Sequence, residues 1–500
     1  MNWKTVNYRT HRWIGITLGA LTFTWFVSGI AMMYYPWPAP TASEEVARLE
    51  PLRLHAATRL IGFDSALAIG ADSAVIGGRL ARWNGGLSYV LWRPNGSRLR
   101  TVAVVDAVSG RMLSPITSTQ AIAVARRWVG ATAMLASVEP LESGDHYLLS
   151  SEYRHGFPAY VVRFADAERS AIYVSRSGGY VTGIVTNRTR WTTWLGTVPH
   201  WLYFKWLYTR HIEWWLWVSC VLPAIAVLAG ASGFVIGVHQ LLPHWRRGEW
   251  RISAYRGASQ WHHLAGIVFG ALVVTWSLSG LLEVLGPDIS PPERQVATVR
   301  GWGTARSVIR EMDAVSAAAR ALGETSDAVA VDYVRILGAP AYVVRFSGGT
   351  RVFLDATRSG AARLELTAAE AASVARVAIG TDRSITSVQR LATYDAYYYA
   401  RFHRELPLPV YRVSFSDADR SVVYVDAVSG EPVGYVDPEV RSYRWLRDGM
   451  HSFDFPALNG RRALWQSIVL PLMLGGTLIA ATGLWLAVRR IRRMAASQSS

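Results

Sequence analysis

The chain has a single cysteine, Cys220, among 500 residues. That excludes a disulfide framework, a thiolate zinc site and an iron–sulfur cluster held within the chain. Charge is also scarce, at 18% Asp, Glu, Lys and Arg against about 25% in an ordinary soluble domain. Acidic residues are the scarcer sign, 36 against 52 Lys and Arg, which leaves a formal net charge of +16. Several motifs are missing. No dinucleotide-binding glycine fingerprint follows a strand, and there is no P-loop, His-Glu-x-x-His or nucleophile elbow. What the chain does have is apolar and aromatic surface: 51% hydrophobic residues and 22 tryptophans, which argues against disorder. Mean hydropathy is +0.15, the value of membrane spans mixed with sizeable soluble parts.

The excess positive charge is placed rather than spread. Lys4, Arg9 and Arg12, then Arg246, Arg247, Arg251 and Arg256, then Arg489, Arg490, Arg492 and Arg493 all flank apolar runs. That is the positive-inside pattern, not the basic, aromatic-interleaved face of a nucleic-acid reader. Four runs are long enough to cross a bilayer core: Ile14–Tyr35, Ile212–Val238, Leu264–Leu285 and Leu464–Val488. The first is too long for the apolar part of a signal peptide and is expected to be an uncleaved anchor. The expected order is a terminal segment and first span (1–35), an external region (36–211), a second span (212–238), a basic cytoplasmic loop (239–263), a third span (264–285), a second external region (286–463), a fourth span (464–488) and a cytoplasmic tail (489–500).

The chain is a duplication. His11, Gly15, Gly19, Ala20, Leu21, Thr24, Trp25, Ser28 and Gly29 return 251 residues later as His262, Gly266, Gly270, Ala271, Leu272, Thr275, Trp276, Ser279 and Gly280. The same offset carries Arg190, Trp194, His200, Phe204 and Arg210 onto Arg441, Trp445, His451, Phe455 and Arg461. Parallel repeats are related by an axis along the membrane normal, so matched residues should face one another across a four-helix bundle. The external regions alternate as half-buried strands in hairpins, for example Tyr160–Phe164 with Ile172–Ser175 and Tyr411–Phe415 with Val422–Asp426. Four small α+β units are expected, two per half.

Histidine placement is the most informative feature. His11 and His262 begin spans one and three, while His200 and His451 precede spans two and four. Ionisable groups at a membrane boundary are functional candidates, and neutral imidazole is a common metal and haem ligand. Symmetry pairs His11 with His262 and His200 with His451, giving two bis-histidine sites in a bundle core. The other reading is that each is a headgroup-level anchor. His211, His239 and His263 have no histidine counterpart and stand in reserve; of the adjacent His262 and His263, only one can point inward. Arg190, Arg441, Arg210 and Arg461 flank the second pair and could hold carboxylates of a bound haem or lipid phosphates.

The chain resembles the PepSY-associated transmembrane family, also called iron-regulated membrane proteins. The resemblance runs over nearly the full length and rests on Thr10–Gly15, Pro199–Phe204, Arg444–Phe455 and the Val-Asp-Ala-Val-Ser-Gly hairpins. It implies an α-helical membrane bundle of four transmembrane helices, a duplicated two-helix unit, with periplasmic α+β PepSY-type domains. It further implies residence in the bacterial inner membrane with both termini cytoplasmic, two b-type haems, and reduction of ferric siderophores or other ferric chelates. Some relatives carry a fused flavin reductase domain that this chain lacks, so the donor would be a quinol or a separate cytoplasmic reductase. A haem-free PepSY module that binds an extracytoplasmic protease or other protein is the alternative.

Overall fold

The computed structural model describes the chain except for residues 1, 36, 55–57, 71–74, 76, 84, 96–97, 150, 249–251, 254, 287–323, 356–361, 381, 401–404 and 499–500. The chain forms two compact units, one of residues 1–36, 189–287 and 441–500, the other of residues 37–188 and 288–440.

The first unit is built on four long helices, α1 (Trp3–Met32), α2 (Ile212–Arg246), α3 (Ala258–Leu285) and α4 (Arg462–Gln498). All four are long and apolar enough to cross a membrane, as in a multi-pass membrane protein. The first and third helices begin before the apolar runs at Ile14 and Leu264. Both helices continue through polar residues, so His11, His262 and His263 are helical rather than in flanking loops. Apolarity marks only the stretch in hydrocarbon, whereas a helix also runs on through the interface. α1 packs on α2 and α4, and α3 does the same. The two helices related by the repeat, α1 and α3, are thus diagonal in the ring.

The second unit is built on fifteen strands among the described residues. They are β1 (Gly77–Trp83), β2 (Gly86–Asn95), β3 (Arg98–Asp106), β4 (Leu135–Leu141), β5 (Ala159–Phe164), β6 (Ala171–Ser175), β7 (Val181–Val185), β8 (Ala328–Ile336), β9 (Ala339–Phe346), β10 (Arg351–Asp355), β11 (Ala362–Arg363), β12 (Ile385–Leu391), β13 (Val410–Phe415), β14 (Val422–Asp426) and β15 (Pro432–Val436). The sheets β4-β5-β6-β7 and β12-β13-β14-β15 are matching antiparallel meanders. Each packs a helix on one face, Ser118–Val129 in the first and Ala368–Ile379 in the second, with Ala121 and Val162 in one shared core and Ala371 and Val413 in the other. Thr117 with Gln120 and Thr367 with Glu370 cap those helices reciprocally.

The other two expected units do not stay separate. Their strands join in one seven-stranded sheet, β11-β10-β9-β8-β1-β2-β3, closed by antiparallel pairing of β1 with β8. Tyr89, Tyr333 and Tyr342 pack under it with Phe63. At the seam Asp332 is buried between two guanidiniums, with Arg79 Nε and Arg345 Nε each 2.5 Å from a carboxylate oxygen. The two halves of the repeat therefore share one sheet, and the physical reason is plain. A three-stranded hairpin stack leaves an edge strand with unpaired backbone groups, and the equivalent edge of the other copy satisfies them.

Candidate functional site

The bundle brings the four duplicated histidines together in the pairs the repeat predicts. His11 and His262 lie with ring centroids 6.2 Å apart and planes at 40°. His200 and His451 are also 6.2 Å apart, with planes at 61°. The first pair sits at the end of the bundle that holds the N-terminus of α1, and the second lies toward the opposite end.

Each ring is held by its Nδ1. His11 Nδ1 lies 3.0 Å from the Ala229 carbonyl on α2 and 3.2 Å from Ser232 Oγ. His262 repeats this on α4, at 3.0 Å from the Ile479 carbonyl and 3.2 Å from Thr482 Oγ1. A carbonyl only accepts, so Nδ1 carries the proton in both rings and Nε2 keeps its lone pair. In the second pair, His200 Nδ1 meets Ser28 Oγ at 3.0 Å and His451 Nδ1 meets Ser279 Oγ at 3.1 Å. Both serines donate to carbonyls, of Trp25 and Trp276, so their oxygens are left to accept from Nδ1. Burial also pushes the His200 imidazole down to about 4, keeping it neutral. All four rings thus share the tautomer of metal-binding histidine, with the remote nitrogen anchored by a fixed acceptor.

The repeated serines also set the distance between the pairs. His11 and Ser28 are seventeen residues apart on one helix, which is a rise of about 26 Å. The same interval separates His262 from Ser279 on α3.

Local backbone aims the second pair. A π-helical turn, Thr193–Thr197 in one half and Arg444–Gly449 in the other, leads into His200 and His451. A left-handed residue follows each, Leu202 at φ 54° and Phe453 at φ 53°. Bulky residues adopt that conformation at a cost of about 1–2 kcal/mol, and π-turns and left-handed non-glycine residues recur at functional sites. The strain occurs at equivalent positions in both halves.

Glycines seat the rings. A Cβ on Gly233 would come within 2.5 Å of His11 Cε1, one on Gly483 within 3.1 Å of His262 Cε1, and ones on Gly29 and Gly280 within 3.6 and 3.4 Å of His200 and His451. Gly15 and Gly266, one turn on from His11 and His262, are different. They are half-buried, yet a Cβ would meet nothing within 4 Å, so open space lies beside both. Gly233→Ala is therefore expected to displace His11 and weaken any ligand held by the pair at least tenfold. Gly483→Ala has room to adjust and should cost less; comparing ligand occupancy of the two variants checks this.

The residues present fit a haem iron. Two Nε2–metal bonds of about 2.0–2.1 Å, each extended by the ring radius, give a centroid separation of about 6.3 Å, and both pairs show 6.2 Å. Two imidazoles at this spacing are what the chain would supply to hold a haem, and open space lies beside Gly15 and Gly266, one turn from the first pair. Among the described residues, no group of three or more His, Cys, Asp or Glu side chains could hold a bare ion.

The remaining candidates fall elsewhere. His263 is buried with both nitrogens engaged, Nδ1 at 2.9 Å from Ser253 Oγ and Nε2 at 3.2 Å from the Gly237 carbonyl. It carries the opposite tautomer, and the ring paired with His11 is that of His262. His211 stands at the start of α2 with its ring against Trp206, and His239 packs edge-on to Trp3. Arg190 and Arg441 are half-buried on short helices leading toward His200 and His451, while Arg210 and Arg461 are exposed just before α2 and α4.

Three features escape a reading at constant offset. The seats Gly233 and Gly483, with Ser232 and Thr482, repeat at 250 rather than 251, so one residue is lost before the second helix of the repeat. The carbonyls of Ala229 and Ile479 have no side-chain signature. A charged group beside His451, in which Arg447 pairs with Glu283 and Asp448, breaks the repeat outright: its counterparts are Gly196, Met32 and Thr197. No family model matches the chain, and no curated protein matches it.

Proposed function

We propose that the chain is a di-haem electron-transfer protein of the bacterial inner membrane, a b-type ferric-chelate reductase. Electrons would enter at His11/His262, leave at His200/His451, and reduce a ferric siderophore or other ferric chelate in the periplasm. One observation carries the reading: two imidazoles 6.2 Å apart occur twice, with the same protonated nitrogen, near two ends of one apolar bundle. Both termini and the loop between α2 and α3 would be cytoplasmic, as the basic residues there favour. The sheets would be PepSY-type units in the periplasm.

A haem held at each pair supplies a one-electron couple. The chain's own part is to present Nε2 from fixed rings, so that little reorganises when charge changes. With two imidazoles at each site, His11 with His262 and His200 with His451 would hold a haem for electron transfer rather than for oxygen binding. The chelate would stay outside the bundle. Iron released as Fe(II) is the product, since siderophores hold the reduced ion weakly.

The test is a reduced-minus-oxidised visible spectrum of the detergent-purified chain, with haem quantified. Sharp b-type bands at about two haems per chain are expected, by the axial-ligand chemistry of paired imidazoles. A flat spectrum from protein made with ample haem overturns the reading and leaves a haem-free binding module.

A further inference from the structure

The repeat fails at the end of the bundle near His11/His262, and it fails on one side. Asn7 Nδ2 donates to the Ser232 carbonyl, and Ser232 Oγ touches His11. Gln240 donates to the Tyr8 hydroxyl, which is hydrogen-bonded in turn with Tyr255. The Tyr255 ring lies edge-on to His263 with centroids 5.2 Å apart, and Ser253 joins the two through its hydroxyl. Asn7 and Tyr8 lie on α1, Gln240 on α2 and His263 on α3, while Ser253 and Tyr255 lie just before α3. The counterparts of Asn7, Tyr8 and Gln240 in the other half are Ala258, Ser259 and Arg490, and that of His263 is Arg12. A polar row thus runs beside one face of the His pair, and His263 is the immediate neighbour of His262.

We propose that this row binds the head group of a membrane quinone. The chemistry of the row selects the ligand. The carboxamide of Gln240 and the phenols of Tyr8 and Tyr255 carry no full charge, so they suit a neutral ligand rather than a phosphate or carboxylate. A carboxamide and two phenols each donate and accept, so the same side chains serve the carbonyls of a quinone and the hydroxyls of its hydroquinone. The Tyr255 and His263 rings give a flat head group an aromatic wall. The four apolar helices make the approach one for a lipid-soluble molecule. Because the row lies beside one His pair only, the inference rests on the reading above and supplies its electron donor. Oxidising a bound hydroquinone to quinone releases two protons and two electrons. The protons would leave to water at that end of the bundle, and the electrons would pass one at a time to the one-electron centre proposed at His11/His262.

The experiment uses the full haem-loaded chain in detergent, with duroquinone as probe for calorimetric binding and duroquinol as reductant followed at the haem band. Expected is saturable duroquinone binding that weakens at least tenfold in Gln240→Leu and in Tyr255→Phe, with haem content and dithionite reduction unchanged. Either variant carries the reading if the other fails to fold. No binding to the fully loaded wild-type chain, or binding unaltered in the folded variants, overturns the proposal. Duroquinone binding by a chain that takes up no haem would overturn the reading above and leave this site standing.

Discussion

Replacing His200 by alanine is expected to lower the haem content from two per chain to one and to abolish reduction of ferric chelates. Cutting one imidazole from the pair removes one of the two nitrogens that would hold the iron, and with it the ring that Ser28 braces. His451→Ala should do the same, because the two rings are halves of one site. His263→Gln provides the control: it removes a histidine from the bundle that faces neither pair, so both haems should remain. Haem quantification with low-temperature absorption on the three purified variants checks all of this. Two haems in His200→Ala would defeat the assignment. The result also separates ligation from headgroup anchoring, since an anchor's loss would change membrane insertion rather than the spectrum.

The second large effect belongs to the shared sheet. Asp332→Ala should destabilise the strand-rich unit by about 3–5 kcal/mol, the cost of leaving a buried ion pair without one partner. The carboxylate is 5% exposed and bridges Arg79 on β1 and Arg345 on β9, so the variant strands two guanidiniums at the seam. Hydrogen exchange on β1 and β8 would rise toward that of the frayed edges, and this is the measurement that decides it. Acid should act at the same place. Burial alone would raise the Asp332 carboxyl, but Arg345 and Arg79 overcome it and hold it at about 2. An unfolded aspartate titrates near 3.9. Its folded value is depressed, so its stabilisation is complete above about pH 4 and is lost as pH falls toward 2. Asp332→Asn should flatten that part of the stability profile.

Much of this arrangement is legible in the residues alone. The constant offset from His11 to His262 and from His200 to His451 fixes both pairings, because a parallel repeat has few ways to close into a ring of four helices. The hairpins from Tyr160 and Tyr411 are equally plain, since alternation survives wherever one sheet face is buried. What is not legible depends on backbone. The union of β1 with β8 is made by peptide groups that every strand possesses, so nothing in Gly78–Ala81 distinguishes pairing across the halves from a free edge. The acceptors for His11 and His262 are peptide carbonyls, and the choice between His262 and His263 turns on helix phase that two adjacent histidines cannot reveal.

The interval between the histidine pairs has an energetic meaning of its own. A rise of about 26 Å is most of the roughly 30 Å hydrocarbon thickness, so a charge moved between the sites traverses most of the transmembrane voltage. One elementary charge crossing fully does work of about 2.3 kcal/mol per 100 mV. Electron flow through the proposed centres would therefore be electrogenic, and the redox balance between them would shift with the energisation of the membrane as well as with the ligands around each iron.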